Sequence, residues 1–157
     1  MHVIVAGCGR VGSQIADFLS LEGHDVVIID RDPEAFKRLG PTFSGVTLEG
    51  VAFDDDVLQE AGVEEADAFA SVTNLDNTNL MTAEIVTRVH RVPKVVSRLY
   101  YPERELTFYK MGIDYICSTT LVSERIMDLL FKNDEVMVWQ DRLDLGLQLV
   151  EFTITER

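Results

Sequence analysis

Five residues, His2-Val3-Ile4-Val5-Ala6, run directly into Gly7-Cys8-Gly9-Arg10-Val11-Gly12. No other juncture in the chain constrains the fold as much. A short apolar run reads as a strand buried on both faces. The residues after it, 10–22, carry apolar groups at Val11, Ile15, Phe18, Leu19 and Leu21, the spacing of an amphipathic helix. A strand that passes so quickly into a helix needs glycine where the backbone turns. Gly7 permits the tight turn, Gly9 leaves room for a pyrophosphate to approach the backbone, and Gly12 lets the helix lie close to the sheet. The helix start then offers free N–H groups and a partial positive charge to phosphate.

The same alternation continues. Val26 to Ile29 form a second apolar run, and Asp32-Pro33 opens a helix as N-cap and first helical residue. Residues 45–48 read as a third strand and 54–61 as a short helix opened by three aspartates. Strands are expected at 66–72, 94–99 and 113–117, with helices at 75–90, 102–111 and 120–132. Gly112 closes the second of these helices. Six apolar strands separated by helices predict an α/β fold. It is a doubly wound, six-stranded parallel sheet of the Rossmann type, order 3-2-1-4-5-6, with helices on both faces. After Lys132 the pattern changes to strand-like runs at 136–139 and 147–154, so residues 1–132 read as one domain and 133–157 as the start of another.

Charge and cysteine content narrow the function. Against 27 acidic residues the chain sets 14 basic ones, a net charge of −13. That balance repels nucleic acid and anionic lipid surfaces. Cys8 and Cys117 are too few for a disulfide framework, fit no zinc spacing, and read as buried small hydrophobes. No apolar run is long enough to span a membrane and no signal-peptide pattern opens the chain, which gives a cytoplasmic protein as the expectation.

Asp30 ends the second strand, where an acid accepts hydrogen bonds from ribose hydroxyls and repels a 2′-phosphate. NAD or another adenine nucleotide is therefore expected in preference to NADP, with Arg31 partly offsetting the acid. Arg10 stands inside the glycine loop, where a guanidinium reaches phosphate. An NAD-dependent oxidoreductase would also need an acid or base beside the nicotinamide. The chain has no Y-x-x-x-K pair, and His2, His24 and His90 read as structural or surface residues. The reading that survives best is a nucleotide-binding module without catalytic residues or a metal. An oxidoreductase and a solitary NADH/NAD sensor are the alternatives.

Together the loop Gly7 to Gly12, Asp30, and Thr73-Asn74-Leu75-Asp76-Asn77-Thr78-Asn79 resemble a known family. It is the RCK or KTN domain, the nucleotide-binding N-terminal domain of Trk/Ktr-type potassium-uptake regulators. The segment Val57 to Thr73 and the Gly112-Ile113-Asp114 triplet resemble it too, and the likeness covers residues 1–132. It implies that Gly7, Gly9, Arg10 and Gly12 hold phosphates, with Cys8 and Val11 of the same loop also at the cofactor. Asp30 would hold the adenosine ribose beside Arg31, with Ala52 and Phe53 near the adenine. Thr73 and Asn74 would lie at the switch point, with Asp76 and Asn79 opening the long helix and Arg98 facing the same crevice. The ligand it implies is NAD(H), ATP, ADP or AMP.

The resemblance also implies a homodimer, often within an octameric ring, that docks on a membrane potassium channel or transporter. Helix 120–132 is then a candidate crossover or dimer helix, and residues 133–157 resemble the linker and first strand of the C-terminal ligand-binding domain. Two departures stand out. Gly50-Val51-Ala52 lacks the aspartate that many members carry after the third strand. Ser118-Thr119-Thr120 replaces a proline-glutamate that helps hold a divalent ion in some members, which shifts weight from metal-assisted ATP sensing to NAD(H), ADP or AMP.

Overall fold

The protein is described here from a computed structural model, which describes residues 1–131. The strands are β1 (His2–Ala6), β2 (Asp25–Asp30), β3 (Val46–Glu49), β4 (Ala68–Ser71), β5 (Val95–Leu99) and β6 (Asp114–Cys117). They form one all-parallel sheet in the order β3-β2-β1-β4-β5-β6. The helices are α1 (Arg10–Leu21), α2 (Asp55–Glu60), α3 (Asp76–Arg88), α4 (Glu105–Met111) and α5 (Ser118–Phe131). The expected fold class and strand order are therefore those observed.

Alternation along each strand builds two cores. Ile4, Ile29, Phe69 and Leu99 face one side, where they pack with Leu58 of α2, Val86 of α3 and Phe108 of α4. Val5, Val26 and Ile28 face the other side, where Ile15 and Leu19 of α1 and the nearby Phe36 cover them. Neighbours in sequence thus enter opposite layers, which is why the apolar runs show no alternation. On the α1 side the cover stops short: Val96 of β5 and Ile116 of β6 are exposed. Cys8 and Cys117 are both buried and unpaired, as expected.

Local chemistry adjusts the boundaries. Asp32 caps the segment that follows β2, accepting from the Glu34 N–H at 3.1 Å, but Pro33–Arg38 is a 3₁₀ helix and not an α-helix. Pro102–Arg104 is likewise a 3₁₀ turn that leads into α4. The last helix begins at Ser118, two residues before the expected start, because β6 passes into it with no loop. Among the described residues no helix is long and apolar enough to cross a membrane.

The chain divides into two compact units, Met1–Ser123 and Glu124–Arg157, the boundary falling within α5. In the second unit, Ile126, Met127, Leu129, Leu130 and Phe131 are all exposed. The strand-like runs expected at 136–139 and 147–154, and the linker reading of residues 133–157, lie outside the described residues.

Candidate functional site

The site is built at the carboxyl ends of the strands, around the turn from β1 into α1. Gly7 takes a φ of +105°, a conformation that disfavours any side chain. Its N–H donates to the Ile29 carbonyl at 2.7 Å, which ties the turn to β2. A Cβ placed on Gly7 would lie 2.9 Å from the Thr73 backbone, and one on Gly12 only 1.8 Å from the Gly7 carbonyl oxygen. Both glycines are thus demanded by contacts of the protein with itself. Gly9 differs: a Cβ there would meet nothing within 4 Å. Gly9 is also the N-cap of α1, and it brings no side chain to the first-turn amides, among which there is no acid. A helix start left open in this way, beside a glycine that leaves space above it, fits a phosphate group.

The residues around this opening fall into those that face outward and those that hold the site from behind. Arg10 and Arg31 are exposed and make no hydrogen bond or ion pair among the described residues. Val11 is exposed on the first turn of α1. Asp30 is half-buried. One carboxylate oxygen accepts from the Cys8 N–H at 2.6 Å and the other from the Asp32 N–H at 3.0 Å. Each oxygen keeps a lone pair, so the acid that fits a ribose also braces the glycine loop. On the β2–β3 ladder Asp30 stands in register with Glu49.

Cys8 turns inward. Its thiol donates to the Ala35 carbonyl at 3.4 Å, and burial, followed by the nearby Asp30 charge, pushes its pKa up to about 11. Neither its side chain nor its N–H is presented to a ligand. Ala52 is likewise buried in the core, whereas Phe53 beside it is exposed.

The opposite lip of the crevice is fastened by side chains. Asn79 is fully buried. Its Oδ1 accepts from the Thr73 N–H at 2.9 Å and from the Thr73 and Ser71 hydroxyls, and its Nδ2 donates to the carbonyls of Thr73 and Arg98. One amide thus binds the end of β4 to the end of β5. Asp76, 4% exposed, accepts from the Tyr100 and Tyr101 N–H groups. Both side chains are spent inside the protein, so of the four residues expected here at the site Thr73 and the exposed Asn74 remain on the surface of the lip. Arg98 leans toward β6: its Nε donates to the Ser118 hydroxyl at 3.3 Å and its guanidinium lies 5.7 Å from the Tyr100 ring centre.

Sequence reading had missed Tyr100, Ser118 and Thr119 as partners in this network. Their only local signal was a polar and aromatic run just past each of the last two strands. A shallow depression lined by Thr87, Pro93, Val95 and Asp114 lies at the amino ends of β5 and β6. That is the end of the sheet where ligands of such folds do not bind.

Residues 3–119 match the family model described as the TrkA-N domain. Over 151 residues the chain is 39% identical to the "Trk system potassium uptake protein TrkA" of Streptomyces coelicolor, covering 96% of this chain and 67% of that protein. It is 30% identical over 136 residues to the "Trk system potassium uptake protein TrkA homolog" of Methanothermobacter thermautotrophicus, covering 87% of this chain and 62% of that one. Among solved structures, "GsuK channel bound to NAD" superposes with a TM-score of 0.69 at 25% identity, over 82% of this chain and 23% of that one.

Proposed function

The chain belongs to the TrkA-N family, and from that premise we propose that it is a nucleotide-sensing regulatory domain of a potassium-uptake system. The observation that carries the reading is the open start of α1: a capping glycine with free space above it, no side-chain cap, and Arg10 unengaged beside it. The relatives' name supplies the potassium system, and the channel with bound NAD supplies a precedent for the ligand.

In this reading the loop Gly7 to Gly12 and Arg10 take the phosphates, and Asp30 takes the adenosine ribose with Arg31 at its side. Phe53 lies toward the adenine, and Thr73 and Asn74 form the far lip. Cys8, Ala52, Asp76 and Asn79 act from behind, by holding backbone in place. Arg98 is reserved for a ligand long enough to reach past β4. NAD(H) would bring hydride chemistry when bound. The strand-end acids, however, are hydrogen-bonded to backbone and do not form an acid–base pair. That arrangement favours sensing over turnover, so the domain is read as a regulator and not an enzyme.

A second copy of the chain is the cover assigned to the exposed apolar residues of α5 and to Val96 and Ile116. The partner is a membrane-embedded potassium channel or transporter, which places the domain on the cytoplasmic face. The division into a nucleotide-binding domain over 1–132 and a following module belongs to the same proposal.

Melting the protein with AMP, ADP, ATP, NAD and NADH tests it. A ligand at a hundred times its Kd stabilises the fold by about 2.7 kcal/mol. A rise with none of them overturns the reading. Steady NADH consumption with a panel of carbonyl acceptors would favour the oxidoreductase. Asp30→Ala should bring NADP affinity closer to that for NAD; unchanged discrimination removes Asp30 from the ribose.

A further inference from the structure

Asp76 lies in the first turn of α3, almost fully buried. An acid in that position ordinarily complements its own helix start. Here the carboxylate reaches across to another loop: Oδ1 accepts from the Tyr100 N–H at 2.8 Å and Oδ2 from the Tyr101 N–H at 3.1 Å. No ion pair among the described residues includes it. Burying a carboxylate without a cation is costly, and only the two N–H bonds and the positive end of α3 offset it here. A neutral side chain could hold a turn at less expense, so the charge suggests a purpose beyond packing.

The contacts on either side of Asp76 indicate what that purpose is. Toward the glycine loop, the Leu75 N–H donates to the Thr73 hydroxyl at 3.2 Å, and the Thr73 backbone fills the space that a Cβ on Gly7 would need. Toward α5, the Tyr100 carbonyl accepts from the Thr119 hydroxyl at 2.6 Å, and the Leu99 carbonyl from the Ser118 hydroxyl at 3.4 Å. Among the described residues Asp76 joins the start of α3 directly to the N–H groups of the 100–101 turn, while Asn77 reaches that turn only through Arg104, and the turn is bonded to the root of α5. Residues 118–123 of that root lie within the first compact unit.

We propose that Asp76 is a positioning residue that couples occupancy of the nucleotide crevice to the order of the α5 root. The proposal rests on the nucleotide-sensing reading above. A ligand held against Thr73 and Asn74 stiffens the start of α3. Asp76 passes that restraint to Tyr100 and Tyr101, and Thr119 passes it to α5. A segment already ordered at one end costs less to order at the other, so the coupling needs no large displacement.

Amide hydrogen exchange of the full chain, with and without saturating NADH, tests this. In the unaltered protein NADH should slow exchange at least about fivefold both at the glycine loop and at 118–123. In Asp76→Asn, which keeps the shape and one acceptor oxygen, the loop should still be protected. NADH should still saturate the variant, as calorimetry reads, but protection at 118–123 should vanish. Thr119→Val cuts the bond to the Tyr100 carbonyl and spares that of Ser118 to the Leu99 carbonyl. It should keep protection at 100–101 and lower it at 118–123, so it decides the matter if Asp76→Asn fails to fold.

Protection at the loop with none at 118–123 in the unaltered protein overturns the coupling and leaves the nucleotide reading standing. So does protection that survives in both variants. Failure of every nucleotide to bind overturns both.

Discussion

The two halves of the sheet end at the same rim by different means. Around β1 and β2 the rim is made of backbone: glycines packed on carbonyls, and an aspartate whose oxygens hold two N–H groups. Around β4 and β5 it is made of side chains, with Asn79 and Asp76 each reaching across to a neighbouring strand end. The first construction leaves amides free for a ligand, while the second consumes its polar groups to hold the opposite lip still. A binding crevice at a switch point gains from both, since one wall must offer contacts and the other must not yield.

Substitutions can break the comparison, and the largest effect is expected on the backbone side. Gly12→Ala places a methyl group against the Gly7 carbonyl, which cannot move without dismantling the turn. Loss of the native fold, seen as loss of a cooperative melting transition, is the expected outcome. Gly9→Ala is its control: with nothing within 4 Å, stability should change by less than about 0.5 kcal/mol, while nucleotide affinity falls. Equal destabilisation by the two would mean that the loop's glycines are all structural.

Next comes the side-chain wall. Asn79→Ala orphans two backbone carbonyl contacts and several donors, and should cost about 3 kcal/mol in a denaturant titration. A loss below about 1 kcal/mol would show that water replaces the amide and that the wall is not held by it.

Arg10→Ala should leave the melting temperature unchanged, because the side chain is exposed and unengaged. It should weaken nucleotide binding about tenfold, or 1.4 kcal/mol. Unaltered affinity by calorimetry removes Arg10 from the site.

An effect confined to alkaline pH concerns Cys8. Its thiol keeps its proton in the folded protein up to about pH 11, against an ordinary value of 9.0. Between those values the folded state binds the proton more tightly than the unfolded one. Its contribution is therefore constant below pH 9 and declines as pH rises to 11. Cys8→Ala should flatten the alkaline fall in stability over that window, and identical slopes would refute the assignment.

The architecture was legible because it is written locally. Apolar runs at Val26–Ile29 and helical spacing over residues 10–22 each report the environment of their own segment, and a parallel α/β sheet is what those segments can build. The glycine loop was legible for the same reason. Asp30 was placed correctly at the end of β2, yet its bond to the Cys8 N–H joins residues 22 apart and leaves no periodic trace. Asp76 is a sharper instance. It opens the long helix as expected, but the groups that absorb its charge are the N–H groups of Tyr100 and Tyr101, more than twenty residues on. The 3₁₀ form of Pro33–Arg38 was missed because the capping signal of Asp32-Pro33 serves either helix type.

One rung of the sheet has a consequence beyond the fold. Asp30 and Glu49 end adjacent strands in register, so on the proposed reading two acidic residues border the ribose edge. Discrimination against a ligand phosphorylated at that edge is then a long-range repulsion, and repulsion is subject to screening. The screening length falls from about 10 Å at 0.1 M salt to about 3 Å at 1 M. On the proposed reading, a preference for an unphosphorylated ribose would be shared with the medium, and it should relax as ionic strength rises while the glycine-loop contacts stay as they are.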